Sequence, residues 1–110
     1  MKNLIRTSIL PMLSVMLLAP TAALAETGPE VFKSQNCTSC HSVTKAGISR
    51  DATPDDKAKD LSDVGARHDK KWLAGFLLKK NDLEGEKHKK SFQGTTDQLK
   101  TLATWLETLK

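Results

Sequence analysis

The sequence predicts an all-α fold, and three observations carry that expectation. Two segments, 69–80 and 95–109, repeat apolar residues at the three- and four-residue spacing of a helix face. Each begins with a residue suited to capping a helix. No alternating run of β-branched residues long enough for a strand occurs in the 110 residues. A chain of this length forms one small domain, which excludes two-lobed architectures and large catalytic clefts.

Residues 1–25 have the layout of a secretory signal. Lys2 and Arg6 are the only charges, an apolar stretch interrupted by Pro11 runs from Ile9 to Leu18, and Ala23-Leu24-Ala25 supplies the small residues of a cleavage site. The apolar stretch is short for a bilayer, which takes about 20 residues, so an uncleaved anchor is the weaker alternative. No Cys stands at the cleavage point, so a lipid anchor has no support. The expected mature chain is a single domain over 26–110, exported to the periplasm and without a membrane span.

Cleavage changes the totals. The whole chain has 17 Lys and Arg against 13 Asp and Glu; the leader takes Lys2 and Arg6, which leaves a net charge of +2. Met1, Met12 and Met16 all lie in the leader, so the mature 85 residues contain no methionine. A domain of that size buries only about 60–65% of its unfolded surface and needs a staple, metal or cofactor to complete its core. A disulfide between cysteines three apart would close too small a loop to supply much of that.

In the mature chain, residues 28–36 predict a short helix with Pro29 suited to its first helical position and Val31 and Phe32 as an apolar patch. Cys37-Thr38-Ser39-Cys40-His41 follows. The polar stretch 42–60, with Gly47 and Pro54, is expected to be a surface loop with at most one short turn. Asp69 is positioned to cap a second helix bearing Trp72, Leu73, Phe76 and Leu77, with Lys79 and Lys80 suited to its C-terminal dipole. Residues 81–94 predict a loop. In the last helix Thr95 and Gln98 fit a capping box, and Leu99, Leu102, Ala103, Leu106 and Leu109 form one stripe with Trp105 at its edge.

Cys37-x-x-Cys40-His41 is the attachment pattern of a c-type haem. Two thiols three positions apart on one turn can bond the two vinyl groups of a single haem, and the adjoining His41 can then ligate the iron as the proximal ligand. Such attachment is made outside the cytoplasm in bacteria, which agrees with the leader. A thioredoxin-like redox pair would need a βαβ context that this chain lacks. Half of a zinc site completed by His68 and His88 would need ligands closer together than 20 residues. A plain structural disulfide is the remaining alternative.

These residues make the mature chain resemble the small monohaem class I cytochromes c over nearly its whole length. Gly28 and Phe32 are similar to that family's first helix, Leu61-Ser62-Asp63-Val64-Gly65 to its L-x-x-V-G segment, and Trp72-Leu73 to the helix that follows. Leu102, Trp105 and Leu106 match its final helix. The resemblance implies three to four short helices around one covalent haem c, with the first and last helices crossing so that Phe32 packs against Leu102 and Trp105. It also implies two departures. The family has Pro two residues before the Leu of L-x-x-V-G, with a carbonyl that orients the proximal His; here that residue is Lys59. The family also binds the iron's other face with a Met, which the mature chain does not have.

The segment Lys87-His88-Lys89-Lys90-Ser91-Phe92-Gln93-Gly94 holds the candidates for the distal position. By position Lys89 replaces the Met. A lysine must first lose its proton, at a cost of about 4–5 kcal/mol at pH 7, whereas a histidine is already mostly neutral there. His88 is therefore the favoured distal ligand, with Lys89 or an open site as the alternatives and His68, beside Arg67 and Asp69 at a helix start, as a third candidate.

A six-coordinate haem in an 85-residue shell leaves no substrate pocket, so the chain is expected to be a one-electron carrier and not an enzyme. Two nitrogen ligands place it at the low-potential end of its class. The alternative is a haem-based small-ligand binder or sensor whose distal ligand is displaced. Lysines at 70–71, 79–80, 87, 89 and 90 could steer docking to an acidic redox partner, although Asp82, Glu84 and Glu86 are interleaved and an ordinary solvated face competes with that reading. Nucleic-acid binding is not expected of an exported chain with a charge of +2, and a monomer is expected.

Overall fold

The structure is a computed structural model that describes residue 16 and residues 25–51 and 59–110. Of the expected leader only Met16 and Ala25 are among them, so the rest of it lies outside the described residues, as do 52–58 of the expected surface loop. Among the described residues there are three α-helices, α1 (Gly28–Ser34), α2 (Lys70–Leu77) and α3 (Thr96–Glu107), and between α1 and α2 the chain makes 3-10 turns at Cys37–Ser39, Thr44–Ala46 and Val64–Ala66. The described residues contain isolated bridges but no strand, so the fold is all-α. None of the described helices is long and apolar enough to cross a membrane.

Local chemistry sets each helix. Thr27 and Glu30 form a capping box on α1, the Thr27 hydroxyl accepting from Glu30 N–H and the Glu30 carboxylate from Thr27 N–H at 2.9 Å. Asp69 caps α2 as expected, accepting from Trp72 N–H at 2.8 Å. The Glu107 carboxylate of α3 takes the Lys70 N–H at 2.5 Å, so the last helix also caps the second. The expected capping box of α3 is present, with Gln98 N–H on Thr95 Oγ1 at 3.2 Å and Thr95 N–H on Gln98 Oε1 at 2.8 Å.

The core lies where α1 and α3 cross. Val31, Phe32 and Leu102 are fully or almost fully buried, and Ala103 and Leu106 lie beside them. Phe32 meets Trp105 edge-on with ring centroids 5.7 Å apart, the contact the resemblance implies. Each large apolar side chain buried here contributes about 1.5–3 kcal/mol. Gly28 is buried against Trp105 so closely that a Cβ would stand 2.1 Å from the Trp105 Cβ. The glycine of Leu61-Ser62-Asp63-Val64-Gly65 has a similar cause: a Cβ there would lie 2.0 Å from the Glu107 carbonyl oxygen, and Gly65 N–H donates to Leu109 O at 2.7 Å.

Two details differ from the sequence reading. The stretch after His41 is not all surface loop, because Val43 and Ile48 exchange backbone hydrogen bonds across a turn at Gly47 and both enter the core. Only two apolar residues are needed to seat a six-residue turn, too few to stand out among polar neighbours. Lys79 and Lys80 do not lie along the last turn of α2. Lys79 takes a left-handed conformation (φ 58°) that ends the helix, and Lys80 N–H returns to Gly75 O at 2.8 Å.

Candidate functional site

The turn after α1 gathers the motif. Asn36 adopts a left-handed conformation (φ 59°) that breaks α1, and the chain re-enters a 3-10 turn at Cys37. The Cys37 carbonyl then accepts from both Cys40 N–H (3.1 Å) and His41 N–H (2.9 Å). Both thiols therefore sit on one turn, with His41 leaving it. The thiols are free, not joined to each other. Burial, helped by the neighbouring Cys40, pushes the Cys37 thiol up to about 11 despite its own backbone hydrogen bond and the Lys90 charge. Before haem attachment the Cys37 thiol is thus neutral at pH 7.

His41 is oriented from outside its own turn. Its Nδ1 lies 2.8 Å from the Lys59 carbonyl oxygen. A carbonyl only accepts, so it is Nδ1 that carries the proton in this contact. The bond expected from the family's Pro is made here by Lys59.

The residue after Lys59 holds that segment in place. The Asp60 carboxylate accepts from Thr44 N–H (3.3 Å) and the Thr44 hydroxyl on one side, and from Ser62 N–H (3.0 Å) and the Ser62 hydroxyl (2.8 Å) on the other. Leu61 N–H adds a bond to Ser42 O at 2.9 Å. Partial desolvation pushes the Asp60 carboxyl upward, but the hydrogen bonds from Ser62 and Thr44, with the Lys45 charge, outweigh it and hold the group below its usual range. A carboxyl lowered in the folded state binds protons more readily when unfolded, so its contribution to stability rises with pH. That contribution is complete above about pH 5 and is lost as pH falls through the lowered folded-state value. Thermal melts of the wild-type chain and Asp60→Asn should therefore differ at pH 6, with the difference shrinking as pH falls through the acid range; a difference that does not shrink in acid would contradict this.

His88 lies in the loop between α2 and α3, near a tight turn closed by Leu83 and Glu86 with Glu84 and Gly85 at positive φ. Its Nδ1 is 2.5 Å from the Lys90 carbonyl oxygen, which fixes the same tautomer as in His41. The two imidazoles are nearly parallel, 15° between planes, with centroids 6.2 Å apart. That is far outside the 3.7 Å of the face-to-face pair His68–Trp72. Phe76 presses edge-on to His88 at 5.3 Å and stacks on Trp72 at 4.9 Å. His68 thus lies at the far end of an aromatic row along α2, its ring occupied with Trp72. Lys89 is exposed in the same loop. Among the described residues no group of three or more His, Cys, Asp or Glu could hold a metal ion, so the zinc arrangement of Cys37, Cys40, His68 and His88 is not assembled.

The sequence names Cys37, Cys40, His41 and His88 as site residues, of which the structure sets the His41 and His88 rings 6.2 Å apart, and it leaves two supporting residues unnamed. Phe76 was legible only as a core residue of α2, four positions after Trp72. Asp60 carried a signal in Asp60-Leu61-Ser62, an acceptor two residues before a hydroxyl, which favours a local turn. Nothing in the sequence shows that this turn is tied to Thr44.

The family model described as Cytochrome c matches residues 25–110. No curated protein and no solved structure matches the chain. The residues fit the haem that this family binds. Two thiols lie on one turn beside a histidine, and His41 and His88 each direct Nδ1–H to a backbone carbonyl. Two imidazole nitrogens about 2 Å from one shared metal would set the ring centres about 6 Å apart, close to the spacing of His41 and His88. The match spans the whole of the folded domain and includes Cys37-Thr38-Ser39-Cys40-His41, so the chain belongs to the cytochrome c family and carries a covalently bound haem c.

Proposed function

We propose that this chain is an exported, low-potential one-electron carrier whose haem is ligated by two histidines. In this reading Cys37 and Cys40 hold the haem through thioethers, His41 is the proximal ligand and His88 the distal one. The observation that carries it is the pair of near-parallel imidazoles 6.2 Å apart, each with Nδ1 tied to a backbone carbonyl. The bound haem supplies an iron that cycles between the ferric and ferrous states. The protein's part is to hold the two nitrogens and set their basicity. A carbonyl accepting from Nδ1–H makes the imidazole a stronger donor, which favours ferric iron and lowers the potential. The edge of Phe76 limits rotation of the His88 ring. Lys89, by contrast, would have to shed a proton at a cost of about 4–5 kcal/mol at pH 7.

With both axial positions filled, the chain has no place for a substrate at the iron, and we read it as a carrier and not an enzyme. Periplasmic export rests on the leader at 1–25. The exposed lysines 79, 80, 87, 89 and 90 suit an acidic redox partner, although Asp82 ties up Lys87 at 2.9 Å. The test is a redox titration of the purified holoprotein followed by carbon monoxide mixing. A single reversible one-electron wave, with no rapid spectral change when the reduced protein meets carbon monoxide, is the expected result. Rapid, saturable carbon monoxide binding would instead make the chain a small-ligand binder.

A further inference from the structure

We infer that Asp60 is a positioning residue for His41, taking over the stiffening task that proline performs at the neighbouring position in similar chains. The inference rests on the reading of His41 as a haem ligand. Lys59 C=O and the Asp60 N–Cα bond belong to one planar peptide unit, so anchoring Asp60 limits the directions in which the Lys59 carbonyl can point. That carbonyl holds the His41 Nδ1–H at 2.8 Å.

Asp60 is fixed from both sides. Its Oδ1 takes N–H groups from Thr44 and Ser62, Ser62 Oγ donates to the same oxygen at 2.8 Å, and its Oδ2 takes the Thr44 hydroxyl. Ser62 Oγ in turn accepts from Lys45 N–H at 3.0 Å. These bonds tie segment 60–62 to Thr44 and Lys45, the turn that leaves His41. The ligand and the carbonyl that orients it are thereby held to one another through a single side chain. A proline would have stiffened the 59–60 segment by locking its own φ; a lysine cannot, and the adjacent carboxylate supplies the constraint through hydrogen bonds. Charge-assisted bonds to a carboxylate are short and directional, which suits the task even at an exposed position.

The test is the solvent exchange of the histidine Nδ1 protons in the reduced holoprotein, followed by proton NMR with nitrogen-15 editing. The carbon monoxide complex keeps the iron diamagnetic even if His88 is not the distal ligand, so failure of that assignment would not be confused with failure of this one. Asp60→Ala should speed exchange of the His41 Nδ1–H tenfold or more and leave that of α3 backbone amides unchanged. Asp60→Asn, which keeps an acceptor oxygen but loses the charge, should restore most of the protection. Ser62→Ala, which removes one arm of the clamp, should give an intermediate rate and serves if Asp60→Ala does not fold. Unchanged His41 exchange in Asp60→Ala and Ser62→Ala would overturn the inference. So would acceleration shared equally with the α3 amides, which marks a general loss of stability.

Discussion

Replacing His88 with alanine is expected to convert the ferric protein from a low-spin to a high-spin spectrum and to open the reduced protein to rapid carbon monoxide binding. The expectation follows from the loop geometry. His88 is the only histidine whose ring centre lies about one metal-bridging distance from that of His41 among the ring pairs described, and it presents a bare Nε2 because Lys90 O holds Nδ1–H. His88→Met should keep the iron six-coordinate while raising the potential by on the order of 0.1–0.3 V, since a thioether favours ferrous iron relative to imidazole. Lys89→Ala should leave spectrum and potential nearly unchanged. A variant pattern in which Lys89→Ala loses the low-spin spectrum and His88→Ala keeps it would transfer the distal position to Lys89.

Gly28→Ala should destabilise the folded holoprotein by about 2–3 kcal/mol, a loss of roughly 10–20 °C in Tm for a domain of this size. The added methyl would meet Trp105 Cβ at 2.1 Å and Cγ at 2.4 Å. The Cβ stands at the root of the side chain and cannot move aside by a change of rotamer, so α1 must back away from α3. That separation also opens the Phe32–Trp105 contact. Gly47→Ala is the control. Gly47 has a left-handed φ of 68° but nothing within 4 Å of its missing Cβ. It should cost only about 1 kcal/mol, from backbone strain alone. Urea unfolding of both variants decides the matter, and equal losses would show that close helix packing at Gly28 is not what requires glycine there.

The parts of the fold written into local periodicity were readable in advance. Thr95 and Gln98 cap α3 as their spacing predicts, Asp69 caps α2, and the stripe Leu99, Leu102, Ala103 and Leu106 is buried. Cys37, Cys40 and His41 stand out in the sequence because haem attachment requires such residues to be adjacent. What was not readable depends on contacts between distant segments. Val43 and Ile48 enter the core because a tight turn at Gly47 folds them inward, and the polar residues around them hide any pattern. Glu107 caps α2 from 37 residues away. Asp60 is tied to Thr44 across 16 residues, and Phe76 meets His88 across a loop. His88 itself was favoured over Lys89 by proton affinity, not by position, and its carbonyl partner and parallel ring add the geometric support that spacing alone could not.

Ligation by His41 and His88 is tested most directly by pulsed electron paramagnetic resonance of the frozen ferric holoprotein labelled with nitrogen-15 histidine. Two strongly coupled histidine nitrogens of similar magnitude are expected, together with a low-spin signal that His88→Ala removes. One strongly coupled histidine nitrogen beside an unlabelled second ligand, or a high-spin wild-type signal, would contradict it.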